Sequence, residues 1–425
     1  NIVDRIYIGH IPEIGTAALT GVGITFPIIT LISAFSSLIA MGGAPRASIA
    51  MGAHHKDRAE RIMGNCLTAL LAISVVLTAV FLLFQEPVLW AFGASENTIG
   101  YAMDYMGIYV CGTVFVQVSL GMNMFITSQG FAKTSMLTVI IGAVLNIALD
   151  PLFIFAFGMG VRGAAIATVI SQAASAVYCF FHVKKISILK IHREDFRLTL
   201  DLTKTLLKLG SPAAIQNAII SVGGMVVQSV INRYGMLFIA GFTATNKLYG
   251  ILEIAATSYG FAVTSYVGQN LGARFVRRIK RGMTSATLIA LITSVVIAGA
   301  MLAFGKLFLK LFISGTPEEV EASLQIAYHY LSIMSVCLPI LYMLHIYRSG
   351  LMGLGDTVVP MFSGFAEMVV RVGVALLLPL VMGQEGIYYA EVGAWTAAAV
   401  LLVAAYYIRM SALSRRKGFA LDEKE

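Results

Sequence analysis

Two polar side chains interrupt the string Leu145-Asn-Ile-Ala-Leu-Asp-Pro-Leu152, where every neighbour is apolar. Asn146 and Asp150 are four residues apart, which puts them on one face of a helix. Pro151 withdraws a backbone donor at the same point and loosens the helix there. A carboxylate beside an amide offers oxygen ligands to a hard cation such as Na+. A carboxylate taken out of water also exchanges its proton closer to neutrality. The same pair could instead serve only to hold helices together. Asp4 is the only acid of the first apolar segment. With Asp150 it would form two carboxylates sharing one proton or one Na+, and an ion pair with neighbouring Arg5 is the plainer alternative. Glu367 and Arg371 are again i and i+4, with the acid first, the favoured order. That spacing fits a structural pair as well as a functional one. Lys247 and Glu253 lie six apart, on different faces, and either could line a polar cleft in the second half of the chain.

These residues draw attention because of what surrounds them. The chain has 425 residues, of which 58% are hydrophobic and only 12% charged, and its mean hydropathy is +0.83. Soluble domains carry about 25% charged residues, so lipid is the expected solvent. Apolar blocks such as 62–84 and 283–305 are long enough to cross a ~30 Å hydrocarbon core. The short alternating strands of a β-barrel are not the pattern here. A charged side chain at a helix centre costs about 2.5–3.5 kcal/mol in lipid. Asp4, Asp150, Lys247, Glu253, Glu367 and Arg371 together would cost roughly 15–20 kcal/mol, so they must face protein, water or a partner. Arg5 and Arg46 lie nearer the ends of their segments.

Turn and charge clusters divide the chain into about twelve spans. The first ends near Gly9. The next five run over about 18–51, 62–84, 98–128, 135–157 and 163–183. After a basic segment, Lys184–Asp201, the second set covers about 205–234, 238–270, 283–305, 320–349, 357–383 and 387–408. The reading is an all-α polytopic membrane protein with two pseudo-symmetric six-helix lobes, 1–183 and 205–408, a linker at 184–204 and a tail at 409–425. The first segment looks like the second half of a membrane helix, and the chain opens on Asn1, so a preceding stretch is expected.

Basic residues set the orientation. One side holds Lys56, Arg58 and Arg61; Lys184, Lys185, Lys190, Arg193 and Arg197; Arg274, Arg277, Arg278, Lys280 and Arg281; and Arg409, Arg415, Arg416 and Lys417. The other holds Arg162, Arg233, Lys306 and Lys310. Both ends are therefore expected in the cytoplasm. This arrangement also explains the basic pI of about 9.2 without a nucleic-acid partner. The halves repeat: Gly15/Gly235, Gly21/Gly241, Thr25/Thr245, Gly52/Gly272, Ala53/Ala273, Arg58/Arg278, Arg61/Arg281 and Met63/Met283 coincide without gaps. An even number of helices per half makes this a parallel repeat.

Other motifs carry no chemistry. Gly158-Met-Gly-Val-Arg-Gly163 spells a nucleotide-binding pattern but follows no strand, and reads as a turn. Gly299–Lys306 has the wrong spacing for a phosphate loop, with Leu307 where Ser or Thr is needed. His54-His55-Lys56-Asp57 has no metal-ligand spacing. Cys66, Cys111, Cys179 and Cys337 stand singly in apolar stretches and read as core residues. The 20 Met, 24 Phe and 17 Tyr suit a soft cleft for lipophilic ligands, although helix packing and lipid contact account for most of them.

The sequence resembles the MATE family, the multidrug and toxic compound extrusion transporters. The resemblance covers nearly the whole chain. It rests on Asn1-Ile-Val-Asp-Arg-Ile-Tyr-Ile-Gly9, Gly42–Gly52, Leu145–Pro151, Gly160-Val-Arg-Gly-Ala-Ala-Ile-Ala-Thr168 and Val267-Gly-Gln-Asn-Leu-Gly-Ala273. The first of these strings is most similar to the MepA-type branch. The resemblance implies a cation-coupled antiporter: protons or Na+ enter, and small organic, often cationic, compounds leave. It implies a cation site at Asp4, Asn146, Asp150 and Thr168, the last adding a hydroxyl oxygen. It implies no enzyme activity and no cofactor beyond the coupling ion. It also implies a monomer among lipids of the bacterial cytoplasmic membrane, crossing it many times. Two departures qualify this. The proline that many members carry early in the first helix would precede Asn1. The acids that some members carry in the seventh and tenth helices have no counterpart here, which leaves one main ion site, in the first lobe. A lipid-linked oligosaccharide flippase of the wider superfamily is the alternative. It would need a larger, more cationic cleft than Arg371 and Lys247 supply. From another class, an integral membrane enzyme would need a nucleophile–base pair or metal cluster that the sequence does not display.

Overall fold

The computed structural model describes residues 2–12, 14–185, 188–190, 192–196, 199–313 and 315–415. Of the basic residues used above, Arg197, Arg416 and Lys417 lie outside the described residues, as do the rest of the tail and the side chains of Arg5 and Arg193.

Helices make up nearly all of the described chain, and no strand occurs among the described residues. The chain forms two compact units, Asn1–Ala47 with His55–Ser211, and Ser48–His54 with Pro212–Glu425. The first contains α1 (Ile2–Gly9), most of α2 (Gly15–Gly52), α3 (Lys56–Leu83), a short α4 (Gln85–Ala91), α5 (Ile99–Cys111), α6 (Thr113–Ser128), α7 (Ala132–Pro151) and α8 (Gly160–Lys185). Helix α9 (Leu200–Ile231) passes into the second unit at Pro212. There follow α10 (Met236–Gly272), α11 (Val276–Lys310), α12 (Pro317–Val336), α13 (Leu338–Gly353), α14 (Val358–Leu377), the single turn α15 (Pro379–Met382) and α16 (Tyr389–Ser414).

Seven helical stretches among the described residues are long and apolar enough to cross a bilayer, and the bent pairs α5–α6 and α12–α13 raise this to nine. One of the seven, Val358–Ser414, consists of α14 and α16 with α15 and a 3-10 helix, Gly383–Tyr388, between them. Counting these two separately, and adding α10 with its internal charges and the short α1, accounts for the expected dozen segments.

Two spans expected to be continuous are bent. The break between Cys111 and Thr113 turns the chain by 55°, and that between Val336 and Leu338 by 51°. Gly112 weakens the first junction, and Pro339, in the first turn of α13, cannot donate at the second. The bends fall in the same helix of each half, so the repeat extends to a defect that apolar periodicity does not display. Cys66 and Cys179 are buried and Cys337 is half-buried. Cys111 is exposed beside its bend, contrary to the core reading.

Further repeat pairs lie 220 positions apart, the offset of Gly15 and Gly235. His54 (φ 58°) and Arg274 (φ 64°) are the only described non-glycine residues with positive φ, and they are counterparts. Gly52 packs on the carbonyl of Gln269 while Gly272 packs on that of Ile49, a reciprocal contact in which any Cβ would collide. Val75 and Val76 are exposed on α3, as are their counterparts Val295 and Val296 on α11. Outward apolar faces around a packed interior are what a lipid solvent requires. Inside the second unit Phe242 stacks on Tyr330 with centroids 4.3 Å apart. The first unit buries Ile28, Ile32, Tyr105 and Val110 together.

Candidate functional site

Four elements of the first unit bring polar groups to one place. Helix α7 carries Asn146 and Asp150 one turn apart. At Pro151 its regular bonding ends and the chain continues through a wider π-helical turn, Leu152–Ala156. The start of α8 comes close to this turn because Gly163 has no Cβ to collide with the Phe153 carbonyl. That approach sets Thr168, five residues on, beside α7. Helix α1 adds Asp4 and α5 adds Tyr105.

Asp4 and Asp150 are 1% and 0% exposed. Asp4 Oδ2 accepts from the Thr168 hydroxyl at 2.7 Å and from the Tyr105 hydroxyl at 3.0 Å. Asn146 Nδ2 donates to Asp150 Oδ1 at 3.2 Å and to Thr168 Oγ1 at 3.4 Å. Asp4 lies within hydrogen-bond reach of Asp150. The second oxygen of Asp150, Oδ2, is buried and meets no donor among the described residues. Ionised carboxylates only accept, so two of them side by side need a proton or cation between them. The carboxylates and hydroxyls offer oxygen ligands, which suit a hard cation such as Na+ rather than a transition metal, while Asn146 presents its Nδ2 to them. Among the described residues no group of three His, Cys, Asp or Glu could hold a metal ion. Tyr105, stacked on Tyr109 at 6.1 Å, is a site neighbour that sequence reasoning missed. A tyrosine in an apolar span gives no signal of facing an acid on another helix.

In the second unit, charges converge on a cavity of about 170 Å³. Glu253 from α10 meets His345 of α13 at 3.4 Å. Glu367 on α14 is ion-paired to Arg348 of α13, and its contact with Arg371 is looser, at 3.9 Å. Arg371 instead pairs with Glu391 of α16 at 2.8 Å and donates to the Ile220 carbonyl at 3.3 Å. Trp395, stacked on Tyr249 at 5.5 Å, forms an aromatic wall. The i,i+4 pair read from sequence is thus the weak link of a network, and the partners that matter come from other helices. Lys247 is exposed and stands apart from this cavity. The chief internal cations are therefore Arg348 and Arg371, not Arg371 and Lys247. Arg348 and Glu391 escaped notice because each falls within a turn or so of a span end, where charges are ordinary. The His345–Arg348 spacing of three on one helix face was the available signal.

The fold and these clusters define a polytopic helical membrane protein with polar groups buried inside each unit, the general form of a secondary transporter. The MatE family model matches residues 1–152 and 212–377, well over half of the chain, and the chain belongs to this family of transporters. It is 29% identical over 276 residues to the probable multidrug resistance protein YoeA of Bacillus subtilis, an alignment covering 63% of this chain and 60% of YoeA. It is 24% identical over 270 residues to the multidrug export protein MepA of Staphylococcus haemolyticus, covering 63% and 59%. The chain thus spans about 60% of the length of these relatives. A crystal structure of a MATE protein in its bent conformation superposes with a TM-score of 0.89 at 22% identity, over 97% of this chain and 91% of that one. This last likeness concerns the fold.

Proposed function

We propose that the protein is a cation-coupled multidrug efflux antiporter that exchanges protons or Na+ for small organic, often cationic, compounds. The observation that carries this reading is the buried Asp4–Asp150 pair, held by Thr168, Tyr105 and Asn146, with one Asp150 oxygen that meets no donor among the described residues. A proton or a Na+ ion between the two carboxylates removes their repulsion, so occupancy changes the energy of the helices that carry them. Helices α1, α7 and α8 then respond to the ion together. Loading such a site can bias a two-state transporter by as much as the ion's differential affinity for the two states. Each charge moved through 100 mV adds about 2.3 kcal/mol.

The second-unit cavity is proposed as the polar part of the substrate path. Glu253, Glu367 and Glu391 give it acceptors for a cationic group, and Trp395 and Tyr249 give it aromatic surface. The names of the relatives support small organic substrates. The protein is placed in the bacterial cytoplasmic membrane as a monomer surrounded by lipid, with lobes at 1–183 and 205–408. The linker at 184–204 and the tail at 409–425 are placed on the cytoplasmic side.

Ethidium efflux from cells producing Asp150→Asn tests the assignment, with expression checked. Efflux at the wild-type rate would end it. Proteoliposomes with pH and Na+ gradients imposed separately then decide the coupling ion, since only the true one drives uptake.

A further inference from the structure

Three arginines meet at a cavity that the transport reading leaves unused. Arg46 comes from the last two turns of α2, and Arg58 and Arg61 from the first two turns of α3. Ile62 and the start of α9, with Asp201, Leu202, Thr205 and Leu206, complete the walls around about 280 Å³. All of these residues belong to the first unit. Arg58 and Arg61 are exposed and Arg46 is half-buried. Each guanidinium has five donors to place, yet among the described residues none of the three has a hydrogen bond or an ion pair. Arg46 and Arg58 repel one another, and Asp201 sets one carboxylate against three guanidiniums. Like charges gathered around a space are costly, most of all for the half-buried one. An anion with several oxygens removes that cost and matches the planar fork of a guanidinium.

The internal repeat supplies a control within the same chain. Arg58 and Arg61 have counterparts in Arg278 and Arg281, but Tyr266 stands in place of Arg46 and Gly282 in place of Ile62. The Tyr266 ring lies against Gly282, where any Cβ would collide, and its hydroxyl donates to the Arg278 carbonyl at 3.0 Å. Arg278 itself covers the Phe275 ring at 4.5 Å. The second half therefore fills with a tyrosine the space that the first half keeps open and lines with a third cation.

We propose that Arg46, Arg58 and Arg61 bind the phosphate of an anionic phospholipid headgroup, with Ile62, Leu202 and Leu206 against the glycerol and the first methylenes. Two features favour a lipid over free phosphate. Ile62, Leu202 and Leu206 set apolar wall beside the guanidiniums, and the site lies between the end of the membrane-length helix α2 and the start of α3, where lipid headgroups are expected. The proposal is independent of the efflux reading.

Native mass spectrometry of the full chain released from phosphatidylcholine nanodiscs containing some phosphatidylglycerol provides the test. The wild type is expected to retain phosphatidylglycerol preferentially. Arg46→Gln, and the double change Arg46→Tyr with Ile62→Gly that rebuilds the second-half arrangement, should each lower retention by about fivefold. Arg46→Lys should keep most of it, and Arg278→Gln all of it. Equal retention of the two lipids by the wild type, an unchanged Arg46→Gln, or an equal loss in Arg278→Gln would overturn the site. Millimolar inorganic phosphate should leave retention intact. Displacement by it to the Arg46→Gln level would make free phosphate the ligand and overturn the lipid assignment. Should Arg46→Gln fail to fold, the exposed Arg61→Gln carries the same comparison.

Discussion

The hydroxyl of Thr168 donates to Asp4 Oδ2 at 2.7 Å across a sequence separation of 164 residues, and Asn146 donates to the same hydroxyl oxygen. Thr168 therefore joins the two carboxylates into one cluster. Thr168→Val keeps the shape and removes the bond. A hydrogen bond to a charged group contributes about 1.5–3 kcal/mol, so the apparent affinity for the coupling cation should fall by about tenfold or more. The cation dependence of uptake into proteoliposomes measures this. An unchanged half-saturation would remove Thr168 from the site.

Asp4 and Asp150 act on one cation if the proposed site is correct. Asp4→Asn and Asp150→Asn should each lower efflux by at least about tenfold, and the double variant should be no worse than the poorer single one. Losses that multiply would show two independent sites.

The Arg348–Glu367 pair tests the second-unit network separately. Removing one partner of a buried pair costs about 3–5 kcal/mol, whereas replacing both with apolar residues can be close to neutral. Arg348→Met should lower the melting temperature of the detergent-solubilised protein clearly, and Arg348→Met with Glu367→Met should recover much of the loss. The contact of Glu367 with Arg371 is too loose to compensate for the missing arginine. Equal melting of the single variant and the wild type would contradict this account.

The reciprocal contact of Gly52 and Gly272 leaves no room for a side chain at either position. Gly52→Val and Gly272→Val should reduce the monodisperse fraction in fluorescence-detected size-exclusion chromatography. Two residues beyond these glycines, His54 and Arg274 hold left-handed backbone, which costs an ordinary residue about 1–2 kcal/mol. His54→Gly and Arg274→Gly should therefore be tolerated or mildly stabilising. A wild-type melting profile for Gly272→Val would show that the helices separate more easily than their packing indicates.

Much of the architecture was legible because lipid imposes a simple code. Spans must be long and apolar. Charges within spans are rare enough that Asp4, Asp150, Glu253, Glu367 and Arg371 stood out by type alone. Helical spacing settled that Asn146 and Asp150 share a face, since four residues make about one turn. The gapless repeat was equally visible, and it aligned Gly52 with Gly272, whose contact only the structure shows. What spacing could not convey was partnership between helices. Glu367 is i and i+4 with Arg371, yet Arg348, from another helix, is its closer partner, and Arg371 turns to Glu391. Nothing local marked Tyr105 as a partner of Asp4 or set Lys247 apart from the cavity. Nor did the pattern show the bends at Gly112 and Cys337, because apolar residues satisfy lipid whether a helix is straight or bent. Solvent sets the composition of each helix from its own sequence, whereas the pairing of buried charges depends on which faces meet. That choice is made by packing across the whole unit, and only the tertiary structure contains it.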